Sequence, residues 1–189
     1  MEGIPSDRIY FVGNTMIDSL REYESKADLS CALEAFGFTR GAYARLTLHR
    51  AANVDDRERL VEILEGLRDL ARSHRIISSA HPRTQKQIRE HGLESHFTDR
   101  PTAEGTAMLP PQGYLDFLCL MKYARLVVTD SGGIQEETTA LGVPCVTVRE
   151  NTDRPATAEV GTNVLAGTKR EPILLAIQQQ LAFRGMRQI

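Results

Sequence analysis

The feature that most constrains this chain is an alternation of short β-branched runs with longer stretches of helical periodicity. Tyr43–Leu48 (YARLTL), Arg75–Ala80 (RIISSA), Arg125–Thr129 (RLVVT) and Pro144–Val148 (PCVTV) read as buried strands. Shorter strand candidates lie at Ala107–Leu109 and Asn163–Leu165. Between the strands, Asp55–Arg72 sets Leu60, Ile63, Leu64, Leu67 and Ala71 at helical spacing. Thr84–His91, Gly113–Tyr123, Ile134–Leu141 and Glu171–Ala182 are predicted as further helices. Short strands alternating with helices of this length imply βαβ units, hence a parallel sheet with helices on both faces.

Such sheets bind ligands beyond the carboxyl ends of their strands, so the residues just after each strand are the informative ones. Here they are His49-Arg50, His81-Pro82-Arg83, Asp130-Ser131-Gly132-Gly133, and the polar run Arg149 to Arg154. Four strand ends therefore bring histidine, arginine or glycine-rich loops to one rim.

Arg125–Leu141 reads as strand, glycine turn, helix. Its glycines admit close approach of backbone to a ligand, and the first amides of the helix favour an anion. The loop is neither a Walker A nor a G-x-G-x-x-G sequence, which removes those nucleotide classes. Ser131 is placed to cap the helix. Glu137, one turn after Gly133, is placed to accept both hydroxyls of a ribose while amides take phosphates. A tight turn with a capped helix and a surface glutamate is the plainer alternative. Glu136 is rotated about 100° from Glu137 on an ideal helix and is expected to lie off the loop. Asp-Ser-Gly-Gly also surrounds the nucleophile of secreted serine proteases. That chemistry is rejected, because this serine opens a helix after a buried parallel strand and no cysteines pair. His49, followed by Arg50, is a candidate for phosphate contact or acid–base work. For His81, before Pro82, a turn-forming role competes with a functional one. Arg154 suits a bidentate phosphate contact or simple exposure. Pro110–Tyr123 reads mainly as helix start and core, with Phe117 a candidate to flank a base.

Composition limits the rest. At 189 residues, 41% apolar and 25% charged, the chain has the size and mix of one globular domain. A net charge of −2 gives no field that would draw nucleic acid or an acidic membrane. No apolar run reaches the ~18 residues of a membrane span, and no signal peptide is evident. Cys31, Cys119 and Cys145 are odd in number and in apolar company, which predicts buried thiols in a reducing, cytoplasmic setting. No metal site is indicated.

Beyond these readings, the motifs resemble a known family. Phe11–Thr15 (FVGNT), Leu46–Asn53 (LTLHRAAN), His81–Thr84, Gly113–Phe117, Thr129–Glu137 (TDSGGIQEE) and Leu141–Asn163 are similar to non-hydrolysing UDP-N-acetylglucosamine 2-epimerases. The resemblance covers nearly the whole chain but only the C-terminal half of that family. It implies one Rossmann-like half of a two-domain GT-B-type fold, with residues 1–189 as a UDP-binding domain. Residues 1–24 would be a linker and first helix, and the N-terminal catalytic half would be absent. Met1 directly before the linker-like Glu2–Asp7 points to truncation.

The resemblance implies that Ser131, Gly132, Gly133 and Glu137 hold phosphates and ribose, with Gln112 and Phe117 at the uracil and Arg154 near the diphosphate. His49 would stand by the reacting sugar and phosphate as the catalytic residue. Arg50 and His81 would belong to a regulatory site. The implied reaction interconverts UDP-GlcNAc and UDP-ManNAc by anti elimination of UDP and re-addition to a glycal, without a nicotinamide or other cofactor. Preorganised amides, Arg154 and His49 would stabilise charge developing on UDP. Implied partners are UDP-GlcNAc or UDP, the missing N-terminal domain with its proton-transferring carboxylates, and a second copy in a full-length homodimer.

Three departures from the pattern stand out. The carboxylate-bearing half is lacking, and a final helix that crosses back to it is missing after Arg184. Alanines also stand at Ala52 and Ala156, where the motifs HR-x-EN and ERPE carry glutamates. Two other functions remain open at this stage: a non-catalytic sugar-nucleotide-binding or regulatory module, and a half-domain of a GT-B glycosyltransferase.

Overall fold

Tyr43–Thr47 (β1) forms the centre of the sheet because every one of its residues can be buried on one face or the other. In the computed structural model, which describes residues 3–98 and 105–182, seven strands run in the order β3-β4-β2-β1-β5-β6-β7. The others are Arg75–Ser79 (β2), Phe97–Thr98 (β3), Thr106–Leu109 (β4), Leu126–Thr129 (β5), Cys145–Thr147 (β6) and Asn163–Leu165 (β7). All six pairings are parallel, with Ala44 opposite both Ile76 and Leu126.

The helices are Thr15–Ala27 (α1), Ala32–Phe36 (α2), Ala51–Val54 (α3), Arg57–Ser73 (α4), Pro82–Glu90 (α5), Tyr114–Lys122 (α6), Gly132–Leu141 (α7), Pro155–Glu159 (α8) and Arg170–Ala182 (α9). They divide between two hydrophobic cores. Ala44, Leu46, Ile76 and Leu126 point from the sheet toward α4 and α9, where Leu60, Ile63, Leu67 and Ile173 are buried. Tyr43, Ile77 and Val127 point the opposite way, toward Leu20 of α1, Leu118 and Met121 of α6 and Ile134 of α7. Each buried leucine, isoleucine, valine or methionine among these contributes about 1.5–3 kcal/mol of transfer free energy.

This division fixes where a ligand can go. The chain leaves β1 toward α4 on one face and leaves β5 toward α7 on the other. Because β1 and β5 are neighbours, their carboxyl ends part at a topological switch point, leaving a crevice between the two loops.

Several sequence expectations are corrected here. Pro82 begins α5 two residues before the predicted Thr84, since a proline at the first helical position loses no hydrogen bond. Gly132 likewise begins α7 ahead of Ile134 because Ser131 already serves as its cap. The first helix runs to Ala27, three residues past the predicted limit, and the linker contains a 3-10 turn at Ser6–Arg8. Cys31 is exposed, since it precedes α2 on the surface; Cys119 and Cys145 are buried. The expected opening at Met1 and Glu2 and the expected ending after Arg184 lie outside the described residues. No helix among the described residues is long and apolar enough to cross a membrane.

Candidate functional site

The crevice is organised by Asp130, the residue that follows β5. Its carboxylate is wholly buried. It accepts hydrogen bonds from the backbone N–H groups of His49, at 3.1 Å, and Arg50, at 3.0 Å, and from the Asn53 amide at 3.2 Å. The Nδ1 of His49 lies 2.9 Å from the same carboxylate. The Asp130 carbonyl accepts from Nε of Arg50, and Asn53 donates also to the Val148 carbonyl, both at 3.0 Å. One buried anion therefore ties together the ends of β1, β5 and β6. Its lone pairs are filled by charge-assisted bonds, which is what permits a carboxylate to be buried without a lysine or arginine counter-ion.

His49 is oriented by this contact. With Asp130 accepting from Nδ1, the tautomer is fixed and Nε2 is left for chemistry. The hydrogen bond that His49 donates to Asp130 raises the histidine above its ordinary value, with burial acting in the opposite direction. A cavity of about 370 Å³ lies beside it, lined by Thr47, Leu48, His49, Ser79, His81, Arg83, Phe117, Ser131 and Ile134. Its walls are the carboxyl ends of β1 and β2, the start of α7 and one ring from α6.

At the start of α7, Ser131 caps weakly through Oγ to the Ile134 N–H at 3.5 Å. The amides of Gly132 and Gly133 open the helix and so have no intrahelical acceptor. Space around them is tight. A Cβ on Gly133 would fall 2.7 Å from the Met16 methyl, and one on Gly132 would fall 3.3 Å from the Asp153 carboxylate. Met16 comes from α1, whose first turn is capped by Asn14 through bonds to the Met16 and Ile17 N–H groups. Thus the Phe11–Thr15 motif delivers α1 against the glycine turn.

Glu137 is partly buried one turn further on, and makes no hydrogen bond or ion pair among the described residues. Burial raises its carboxyl above the usual carboxylate range, and the neighbouring charge of Glu136 adds to this. Glu136 itself is not idle. Its carboxylate pairs with Nε of Arg154 at 3.1 Å, which corrects the expectation that it stands apart from the predicted site residues. Arg154 is thereby held along α7, with Nη1 donating to the Asp153 carbonyl at 3.3 Å.

The remaining predicted residues are placed as follows. Phe117 lines the cavity. Gln112 lies next to it, its Oε1 accepting from Ser79 Oγ and its Nε2 donating to the Pro110 carbonyl. His81 lines the outer part of the cavity and caps α5, accepting at 3.2 Å from the Arg83 N–H. Arg50 is bound to the Asp130 carbonyl, with Nη2 3.9 Å from Asp153. His49, His81, Phe117 and Ser131 therefore share one cavity, whereas Arg50 and Arg154 face the Asp153 side of the glycine turn. Sequence reasoning assigned no role to Asp130, Asn53 or Ser79. The signal for the first two was the strand-end position of one and the second motif's asparagine.

A family model described as UDP-N-acetylglucosamine 2-epimerase matches residues 1–188. The chain belongs to that family. It is 42% identical over 185 residues to the UDP-N-acetylglucosamine 2-epimerase of Methanocaldococcus jannaschii, covering 95% of this chain and 50% of the relative. Identity to the Methanococcus maripaludis UDP-N-acetylglucosamine 2-epimerase is 39% over the same length and coverage. The solved M. jannaschii enzyme in complex with UDP-GlcNAc and UDP superimposes with a TM-score of 0.86 at 40% identity, over 99% of this chain and 51% of that one. The fold is thus the Rossmann-like half of a GT-B-type epimerase, an isomerase family, and the chain spans about half the length of the curated relatives it matches.

Proposed function

We propose that this chain holds the UDP portion of UDP-GlcNAc in the crevice between the β1 and β5 loops, as the nucleotide-binding half of a 2-epimerase. The observation that carries this reading is the start of α7. Among the described residues, two amides without acceptors lie at Gly132 and Gly133, and one turn later comes a carboxylate, Glu137, without a donor. A diphosphate supplies what the amides lack, and a ribose diol supplies what the carboxylate lacks. Gln112 and Phe117 would receive the uracil, and Arg154 would swing from Glu136 to the diphosphate.

In the elimination and re-addition of UDP, the proton at C2 of the sugar has no adjacent ring carbonyl to acidify it, so cleavage of C1–O must assist its removal. Negative charge then develops on the leaving UDP. Protonated His49, held by Asp130, would donate from Nε2 toward that charge, and the α7 amides would stabilise it in place. Residues 1–189 would act as a single domain in a reducing, cytoplasmic setting, paired with carboxylates that the other half of the relatives supplies and, in a full-length form, as a homodimer.

A second reading keeps binding and drops regulation. Ala52 and Ala156 are both exposed, so the carboxylates expected there are surface groups whose loss leaves the core intact. On this reading Arg50 and His81, implied as regulatory, would have only the structural roles described above.

Thermal melting with nucleotides tests the main reading. UDP and UDP-GlcNAc are expected to raise the melting temperature, by mass action on the folded state, while ATP and NAD leave it unchanged. Equal stabilisation by ATP would count against a uracil-reading site.

A further inference from the structure

The stretch from Arg149 to Arg154 has no regular structure, yet Arg154 is held through its backbone as well as its side chain. Nε of its guanidinium lies 3.1 Å from the Glu136 carboxylate. Its backbone N–H donates to Thr152 Oγ1 at 3.0 Å, and its carbonyl accepts from Thr157 Oγ1 at 2.7 Å. Both threonines are tied in turn to the interior. Thr152 Oγ1 donates to Oε1 of Gln135 at 2.6 Å. Nδ2 of Asn163 donates to Thr157 Oγ1 at 3.2 Å and to the same Gln135 oxygen at 3.4 Å. Oδ1 of Asn163 accepts from Thr147 Oγ1 at 2.7 Å.

Gln135, Thr147, Thr157 and Asn163 are all buried, and Thr152 is half-buried. Such a set adds little net stability, because each bond replaces one to water, and apolar side chains would fill the same space without the desolvation. What an apolar filling cannot do is hold a peptide N–H and a peptide carbonyl in place. Here those two groups belong to one residue, Arg154. Helix α7 therefore grips this arginine on both sides: Glu136 takes the guanidinium, and Gln135, the residue before it, takes the backbone through Thr152. The same helix opens with the Gly132 and Gly133 amides, and the loop reaches them, since a Cβ on Gly132 would stand 3.3 Å from the Asp153 carboxylate. The pivot of the arginine and the amides are thus carried by a single element.

We propose that Gln135 and Thr152 are positioning residues for Arg154: they hold its backbone against α7, so that the guanidinium, on leaving Glu136, turns about a fixed pivot onto a phosphate at the helix start. The inference rests on the reading that the diphosphate of UDP lies there. With the Thr152 link cut, the loop has to be ordered when the ligand arrives, and that ordering opposes binding. The loss is confined to what Arg154 contributes, and the contribution of Glu137 is untouched.

Calorimetry with UDP on the full chain tests this. Thr152→Val keeps the shape of the side chain and removes the hydroxyl. It is expected to weaken UDP binding about fivefold, the fold-change of one neutral hydrogen bond, and Thr152→Ser should restore the parent affinity. In an Arg154→Ala background, Thr152→Val should weaken binding no further, whereas in a Glu137→Ala background it should show its full fivefold effect. An equal loss with and without Arg154 would overturn the proposal, since Thr152 would then support the fold or the α7 amides. Parent affinity in Thr152→Val would overturn it too, as would a serine variant as weak as the valine one. If Arg154→Ala binds UDP as the parent does, the arginine is not at the diphosphate and the proposal falls with that placement. A parent chain that binds no UDP would instead refute the underlying reading.

Discussion

His49 combines a half-exposed ring with a buried carboxylate partner, and this arrangement sets a sign for pH. Its titration is raised by Asp130, so the folded protein holds the proton more tightly than the unfolded chain does. The stabilisation is therefore complete below the ordinary histidine range and is lost as pH rises through the higher, folded value. UDP affinity should follow the same course, falling as the imidazolium near the diphosphate is neutralised. Titration calorimetry across that range should show the fall, and His49→Gln should flatten it. For Glu137, replacement by alanine is expected to weaken UDP binding by about 1.5–3 kcal/mol, the scale of charge-assisted hydrogen bonds. The comparison variant cannot be Glu136→Ala, because that change releases Arg154. Glu65→Ala, on α4 beside Arg68, serves instead and should leave affinity unchanged. Gly133→Val is a less direct probe, since it displaces Met16 as well as closing the turn. The strand-end residues were legible in the sequence because the topology of parallel sheets directs attention to them. Asp130 was not, since an aspartate before Ser-Gly-Gly reads as turn chemistry. Its burial exists only once β1 and β5 lie side by side, which sequence order does not reveal.

Among the elements, the long helices and most of the strands, the three-residue Asn163–Leu165 included, were readable within a few residues, whereas four short pieces were not. β3 has two residues, too few for alternation to register, and α2, α3 and α8 have five or fewer, too few for a helical period. Their existence depends on neighbours: β3 is formed by pairing Phe97 with Thr106 at the sheet edge, and α3 lies beside α4 and α5. The α4–α9 contact illustrates what periodicity omits. Gly66 is buried in α4, and a Cβ there would fall 2.9 Å from the Ile173 side chain and 3.2 Å from the Arg170 carbonyl. Glycine is ordinarily a poor helix residue, so Gly66→Ala would stabilise an isolated helix. Here the close approach of α9 reverses the sign. The substitution is expected to destabilise by about 1–3 kcal/mol, the range for overpacking, read as a lower midpoint in urea with little change in slope.

For the molecule as a whole, binding and turnover should separate. The resemblance assigns proton transfer to carboxylates in the half that the 189 residues do not match, so UDP binding without epimerisation is the expected behaviour of this chain alone. Detection of UDP-ManNAc formed from UDP-GlcNAc by the pure protein would refute that division. The Asp130 clamp has a further consequence during synthesis. Its donors at His49 and Asn53 precede their acceptor by 81 and 77 positions, and Asn53 reaches Val148 across 95. Until β5 leaves the ribosome, β1 has one open edge and the His49 loop has nothing to close on. The nascent chain must therefore carry a fully buried strand, with the charged Arg45 inside it, open on its β5 side through the translation of α4, β2 and α6, which makes this interval the one in which chaperones and proteases have the most to grasp.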